Sequence, residues 1–137
     1  MKAILIYIAT YMSSIFKTYG VRFVNSEAMH SFNDSYVDLA AEHFNIRIVN
    51  DRGQLFMDVQ SKSDCKGDES WYSLDLVRSL LSGEILASAV LDEEYGKFLE
   101  DRFEDICKLF SDEKSGETIT NLKKLRKERA KRMFKHS

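Results

Sequence analysis

The stretch FNIRIVNDRGQLFMDV, residues 44–59, restricts the fold more than any other part of this chain. Phe44, Ile46 and Ile48 recur at every second position, and Leu55, Met57 and Val59 resume that period after a break. A period of two puts such side chains on one face of an extended strand. The break, Asn50-Asp51-Arg52-Gly53, carries turn chemistry. Asp51 can close an Asx-type turn, and Gly53 takes positive φ without steric cost. The segment predicts a β-hairpin with a short bulged loop, its strands over 45–49 and 55–59. Everything after the hairpin reads as helix, so the expected class is α+β.

Ahead of the hairpin, residues 21–25 alternate and are β-branched, which predicts a short strand. Residues 26–35 are polar, carry Asn33-Asp34 and read as a loop. Residues 36–43 predict a strand with Val37, Leu39 and Ala41 on one face, although two alanines also permit helix. The sum is an antiparallel meander of about four strands, a common sheet size. Its alternation implies one covered face and one more open.

Helices are expected on both sides of the meander. Ile4, Ile8, Tyr11, Met12, Ile15 and Tyr19 recur at helical spacing, and Gly20 is a natural stop. Lys2 followed by AILIYIATYM also has the look of a secretion signal. The apolar run is about ten residues, too short to span a bilayer, and no small-x-small cleavage site follows. A buried N-terminal helix is the preferred reading. Residues 61–70 form a loop. Ser73 is then a candidate N-cap, Tyr72 can staple onto Val77, and Leu74, Val77, Leu80 and Leu81 make a stripe that ends at Gly83. Residues 92–110 give the clearest helix. Tyr95, Phe98, Leu99, Phe103, Ile106, Cys107 and Phe110 share a face, and Asp92, Glu93 and Glu94 complement the dipole at its start. A last, basic helix over about 118–135 has a thin stripe of Leu122, Leu125, Arg129 and Met133. No repeat or flexible linker divides the chain, so 1–137 reads as one α+β domain.

Charge is unevenly distributed. Of 20 basic and 22 acidic residues, eight basic and one acidic lie in 118–137, a net +7. The remaining 12 basic and 21 acidic residues leave a net −9 elsewhere. An acidic body steers basic partners toward itself. Cys65 in a polar loop and Cys107 on an apolar helix face do not make a disulfide framework, which suits a reducing cytosol.

No reactive motif emerges. His30, His43 and His136 lack any i,i+4 partner or HExxH context, so no metal site, catalytic residue or cofactor is expected. No serine lies in a GxSxG elbow, and the isolated glycines cradle no phosphate. The KKLRKERAKRMFKH run can contact nucleic acid phosphates. A solvated helix face, partly paired with the acidic body, is preferred because no recognised nucleic-acid fold accompanies it. Trp71 and Tyr72 read as a pair at the edge of a core, with partner anchors as the alternative.

Several segments together, the aromatic entry, IRIVNDRGQLFMDV, WYSLDLVRSLLSGE and LKKLRKERAKRMF, resemble small bacterial toxin immunity proteins, including those of contact-dependent growth inhibition and polymorphic toxin systems. The resemblance runs from Tyr19 onward and rests on structural motifs, with no reactive signature. It implies a cytoplasmic, non-enzymatic inhibitor that binds one cognate toxin domain, often a nuclease, with no membrane partner. No binding motif carries over by residue. The acidic positions Asp64, Asp68, Glu69, Asp92, Glu93 and Glu94 are the expected contacts, chosen on charge. A nucleic-acid-associated protein acting through the basic helix is the alternative.

Overall fold

The computed structural model describes residues 1–28, 35–86 and 88–135. Two short helices, α1 (Lys2–Tyr11) and α2 (Ser13–Tyr19), precede a five-stranded antiparallel sheet in the order β1-β2-β3-β4-β5. Its strands are β1 (Arg22–Ala28), β2 (Ser35–Ala40), β3 (Phe44–Asp51), β4 (Gln54–Ser61) and β5 (Trp71–Ser73). Helices α3 (Leu74–Ser82), α4 (Glu93–Leu109) and α5 (Ser115–Lys135) follow. The α+β class is as expected.

The hairpin forms where the alternation placed it, with Ile46 opposite Val59 and Ile48 opposite Met57. Its loop is tighter than expected. Asp51 pairs with Gln54, so Arg52 and Gly53 alone make the turn, at φ of 55° and 89°. Positive φ at both central residues matches the primed turn that suits strand twist. Asn50, rather than Asp51, supplies the side-chain closure: its Oδ1 accepts from Gly53 N at 2.9 Å.

The fifth strand is a correction to the expected four. Trp71, Tyr72 and Ser73 pair with Gln60, Val59 and Asp58 along the outer side of β4. Three residues are too few to display a period. On the other side of the meander, β1 takes Ser26–Ala28 from the expected loop; positions 29–34, with His30 and Asn33-Asp34, lie outside the described residues, as does His136. The single N-terminal helix also divides in two at Met12 (φ −115°, ψ 2°). Thr10 and Ser13 hydroxyls donate to the carbonyls of Ile6 and Ala9, both at 2.7 Å, and such back-bonding bends a helix. Gly20 ends α2 in the left-handed region, as expected.

The inner face of the sheet holds Val37, Leu39, Phe44, Ile46, Ile48, Met57, Val59 and Tyr72, all buried. Helices α1, α2 and α4 cover it. Phe103 of α4 packs against Phe44 (5.7 Å between ring centroids) and Tyr19 (4.9 Å), and Phe110 stacks on Phe44 at 5.2 Å. Gly96 lets α4 approach α1, since a Cβ there would collide with the Tyr11 ring. Tyr7 ties the same pair by donating to Asp92 O at 2.9 Å. Of the expected core face of α4, Leu99, Phe103 and Ile106 are buried, but Phe98 and Cys107 are only half-buried. Phe98 lies at the margin of the stripe, under the Arg78 guanidinium at 5.6 Å. Of the α5 stripe, Leu122 is buried and Leu125 and Arg129 half-buried; the Met133 side chain is outside the described set.

The aromatic contacts set a ranking of substitutions. Phe103→Ala is expected to cost about 3–5 kcal/mol in a urea melt, the range for a buried phenylalanine. Phe98→Ala is expected to cost clearly less. Equal costs would show that the two rings share the same environment.

Candidate functional site

The expected contact residues do not form one patch. Asp64, Asp68 and Glu69 lie on the β4–β5 connection, beyond Ser61 at one end of β4. Asp92, Glu93 and Glu94 begin α4 near its other end, where Leu91 N donates to Leu55 O at 2.7 Å. Leu55 and Ser61 lie six residue steps apart, about 20 Å along β4. The two acidic triplets are therefore distinct surfaces.

The loop meets the basic helix at Glu69, through its backbone carbonyl and not its carboxylate. Arg126 of α5 donates to Glu69 O at 2.9 Å and Trp71 O at 3.3 Å, and its guanidinium lies 4.5 Å from the centre of the Tyr72 ring. One turn further, Arg129 donates to Asp75 Oδ2 at 2.7 Å and to Ser73 Oγ at 2.9 Å. Ser73 in turn donates to Asp75 Oδ1, so it sits at the N-cap position of α3 without capping through its side chain. Asp75 is 5% exposed, a burial that a carboxylate tolerates only with such partners. Two of the tail's cations thus fasten α5 to β5 and α3. Lys123, Lys124, Lys127 and Lys131 remain exposed.

The other triplet belongs to a larger acidic surface. Positions 92–117 hold ten acidic and four basic residues, so a net −6 of the body's −9 is concentrated there. The helix repeat turns Glu93, Lys97, Glu100, Glu104 and Lys108 away from the core, with Glu94 and Asp101 beside them. All seven are exposed. Lys97 lies 3.5 Å from Glu93, Lys108 3.9 Å from Glu104 and Arg102 2.6 Å from Asp105. Among the described residues, Glu94, Glu100 and Asp101 have no ion-pair partner. Asp92 does not belong with them, because its Oδ1 caps the helix by accepting from Tyr95 N at 2.9 Å. Glu100 and Asp101 were missed in the sequence, yet a signal was present. Pairing each α4 cation first with an acid four residues before it, and only failing that with one three after it, leaves Glu94, Glu100 and Asp101 over.

Three other places combine groups that could carry chemistry. A small recess of about 220 Å³ is lined by His43, Glu42, Tyr19 and Cys107. A cysteine beside a histidine suggests a nucleophile, but burial pushes the Cys107 thiol up to about 11, with Glu104 and Glu42 adding to it. A thiol so raised is inert near neutral pH. A groove of about 850 Å³ opens between α3 and α5, with Leu76, Ile85, Leu86 and Leu125 as its apolar lining and Arg129 and Arg132 as cations. The outer face of the sheet carries Tyr36, Arg47 and Trp71. There the Arg47 fork grips Asp38 at 2.7 and 3.1 Å and sits 5.0 and 4.7 Å from the two ring centres, so its donors are committed internally.

Among the described residues, no group of three or more His, Cys, Asp or Glu is placed to hold a metal ion. No helix among them is long and apolar enough to cross a membrane. Comparison of the chain with protein-family models, with curated proteins and with solved structures gives no match.

Asp58 is the exception on the outer sheet face. It stands between Arg47 and Ser73 in the cross-strand row, and its carboxyl has no hydrogen-bond partner among the described residues. Burial raises its pKa above the ordinary 3.8, against the opposing pull of Arg47 and Arg129, while Asp75 pushes it up further. A carboxyl with a raised folded pKa binds more protons in the native state, so it lowers stability as pH rises from the ordinary value through the folded one. Asp58→Asn is therefore expected to raise stability at pH 7 relative to the parent, with the advantage shrinking toward pH 3 in paired denaturant melts. A variant less stable at pH 7 would show that Asp58 is needed as an anion.

Proposed function

We propose that this chain is an immunity protein that binds one cognate bacterial toxin domain, a nuclease being the best fit, and neutralises it by covering its substrate cleft. The observation that carries this reading is the outward face of α4, where Glu94, Glu100 and Asp101 stand exposed without ion pairs among the described residues. A nuclease must attract phosphates, so its cleft is basic, and an acidic helix face is its electrostatic complement. From Glu93 to Glu104 the carboxylates extend about 16 Å along the helix, within the width of an ordinary protein interface. The sequence resemblance supports the same reading, and the proposed place of action is the cytoplasm of the toxin-producing cell. Nothing in it calls for an enzyme activity or a cofactor.

A second reading keeps one supporting observation. Lys123, Lys124, Lys127 and Lys131 are exposed on α5 and can contact nucleic acid phosphates. It is weaker because Arg126 and Arg129, two of the three arginines of that helix, are bound within the molecule.

The test expresses this chain in cells that receive the cognate toxin. Cells carrying the native chain are expected to survive. The triple variant Glu94→Lys, Glu100→Lys, Asp101→Lys is expected to lose protection while remaining folded, with association to the toxin slowed roughly tenfold or more at low salt. Reversing the four α5 lysines is expected to leave protection intact. Death of cells holding abundant, folded native chain contradicts the immunity reading. Full protection by the α4 variant contradicts the choice of surface.

A further inference from the structure

We propose that the free edge of the sheet, strand β1, pairs antiparallel with β1 of a second copy of this chain, giving a two-fold symmetric dimer with one continuous sheet. The two edges of the sheet are treated differently. At the β5 edge the strand is three residues long, and Arg126 of α5 donates to the Trp71 carbonyl. At the other edge β1 is seven residues long and pairs with β2 as its one neighbouring strand among the described residues, while its Ser26 amide donates to Asn25 Oδ1 at 2.9 Å, a bond that strand pairing at that position would have to replace. Every position from Arg22 to Glu27 is exposed. Phe23 and Val24 are 56% and 61% exposed, adjacent large apolar side chains on an open edge. Such an edge is a template for another strand; β1 has no proline or lysine, and what restricts its partners is the pair of charges at Arg22 and Glu27 and the bulge between Phe23 and Asn25.

The occupant follows from the strand's own pattern. Pairing with β2 sets Arg22, Asn25 and Glu27 opposite Ala40, Asp38 and Tyr36, on the outer face. Phe23 and Ser26 sit opposite Leu39 and Val37, on the inner face, where Phe23 stacks on Phe16 at 5.2 Å. The register shifts between Phe23 and Asn25, so Val24 is the bulged residue. Two copies can join only in a register that matches outer face to outer face. Setting Arg22 of one copy opposite Glu27 of the other does so. It also sets Phe23 opposite Ser26, brings the two bulges together at the two-fold axis and creates two equivalent ion pairs. A slip of one residue mixes the faces, and a slip of two separates Arg22 from Glu27. The strand is thus self-complementary in charge, as an isologous interface requires. The bulge bends the edge away from flat, indiscriminate pairing, and it presents the same shape to its own copy.

The experiment is sedimentation equilibrium of the full chain from about 10 μM to about 1 mM, where a small edge interface associates. The mass is expected to rise from 15.9 kDa toward twice that value. Arg22→Glu and Glu27→Arg place like charges opposite one another and are each expected to weaken dimerisation at least about tenfold. The double variant R22E/E27R restores opposite charges and is expected to return within about threefold of the parent. Glu27 also accepts from the Tyr36 hydroxyl at 3.2 Å; that bond is lost equally in E27R and in the double variant, so recovery reports the contact between copies. Circular dichroism confirms that each variant is folded. A parent chain that stays monomeric throughout, single variants that dimerise like the parent, or a double variant no tighter than the singles each overturns the proposal.

Discussion

One face of the sheet must be kept dry, and the rest of the molecule is arranged around that need. Val37, Leu39, Phe44, Ile46, Ile48, Met57, Val59 and Tyr72 cover the inner face with apolar side chains from four of the five strands. Leaving such a surface in water is costly in proportion to its area. The cover comes from both ends of the chain, with α1 and α2 from before the sheet and α4 from after it. Phe103 joins the two sources, since it touches Tyr19 at the end of α2 and Phe44 at the start of β3. The α4–sheet contact is therefore long in sequence and central in space.

This arrangement fixes what α4 can show to solvent. Its inward stripe is committed to aromatic packing, so its outward stripe is free to carry charge, and it carries carboxylates beyond what its own cations neutralise. At the β5 end, Arg126 and Arg129 instead hold α5 against the edge strand and the start of α3. The acidic and basic features read in the sequence thus play different parts. The acids of α4 remain available to a partner, while the best-placed cations of the tail hold the fold together. The outer face of the sheet is polar and internally bonded around Arg47.

Local patterns were legible in the sequence and distant pairings were not. The hairpin and α4 each repeat their period over several turns or strand residues, so Ile46, Ile48, Met57, Val59, Leu99 and Phe103 could be placed on buried faces from spacing alone. Gly20 and Gly83 marked helix ends because only the left-handed region fits there easily. The strand at Trp71–Ser73 had no room to show a period, and the division of the N-terminal helix at Met12 depends on two hydroxyls bonding back to carbonyls. Asp75 reads in sequence as an exposed acid in the first turn of a helix. Its burial depends on Arg129, 54 positions away, which periodicity does not reveal. Clusters along the chain point to Asp92 as a contact, whereas its carboxylate caps α4, and Glu100 and Asp101 stand out only from the helix face and its ion pairs.

Carboxyl footprinting tests the role of α4 most directly. The chain is treated with a carbodiimide and a small amine, alone and bound to the protein that co-purifies with it from its native cell, and labelling is read at each acid by mass spectrometry. Glu94, Glu100 and Asp101 are expected to label readily in the free protein and to be protected several-fold in the complex, with Asp64 and Asp68 changed much less, because desolvation inside an interface excludes the reagent. Unchanged labelling of the three α4 acids in a saturated complex, with protection elsewhere on the molecule, would contradict an α4-centred binding surface.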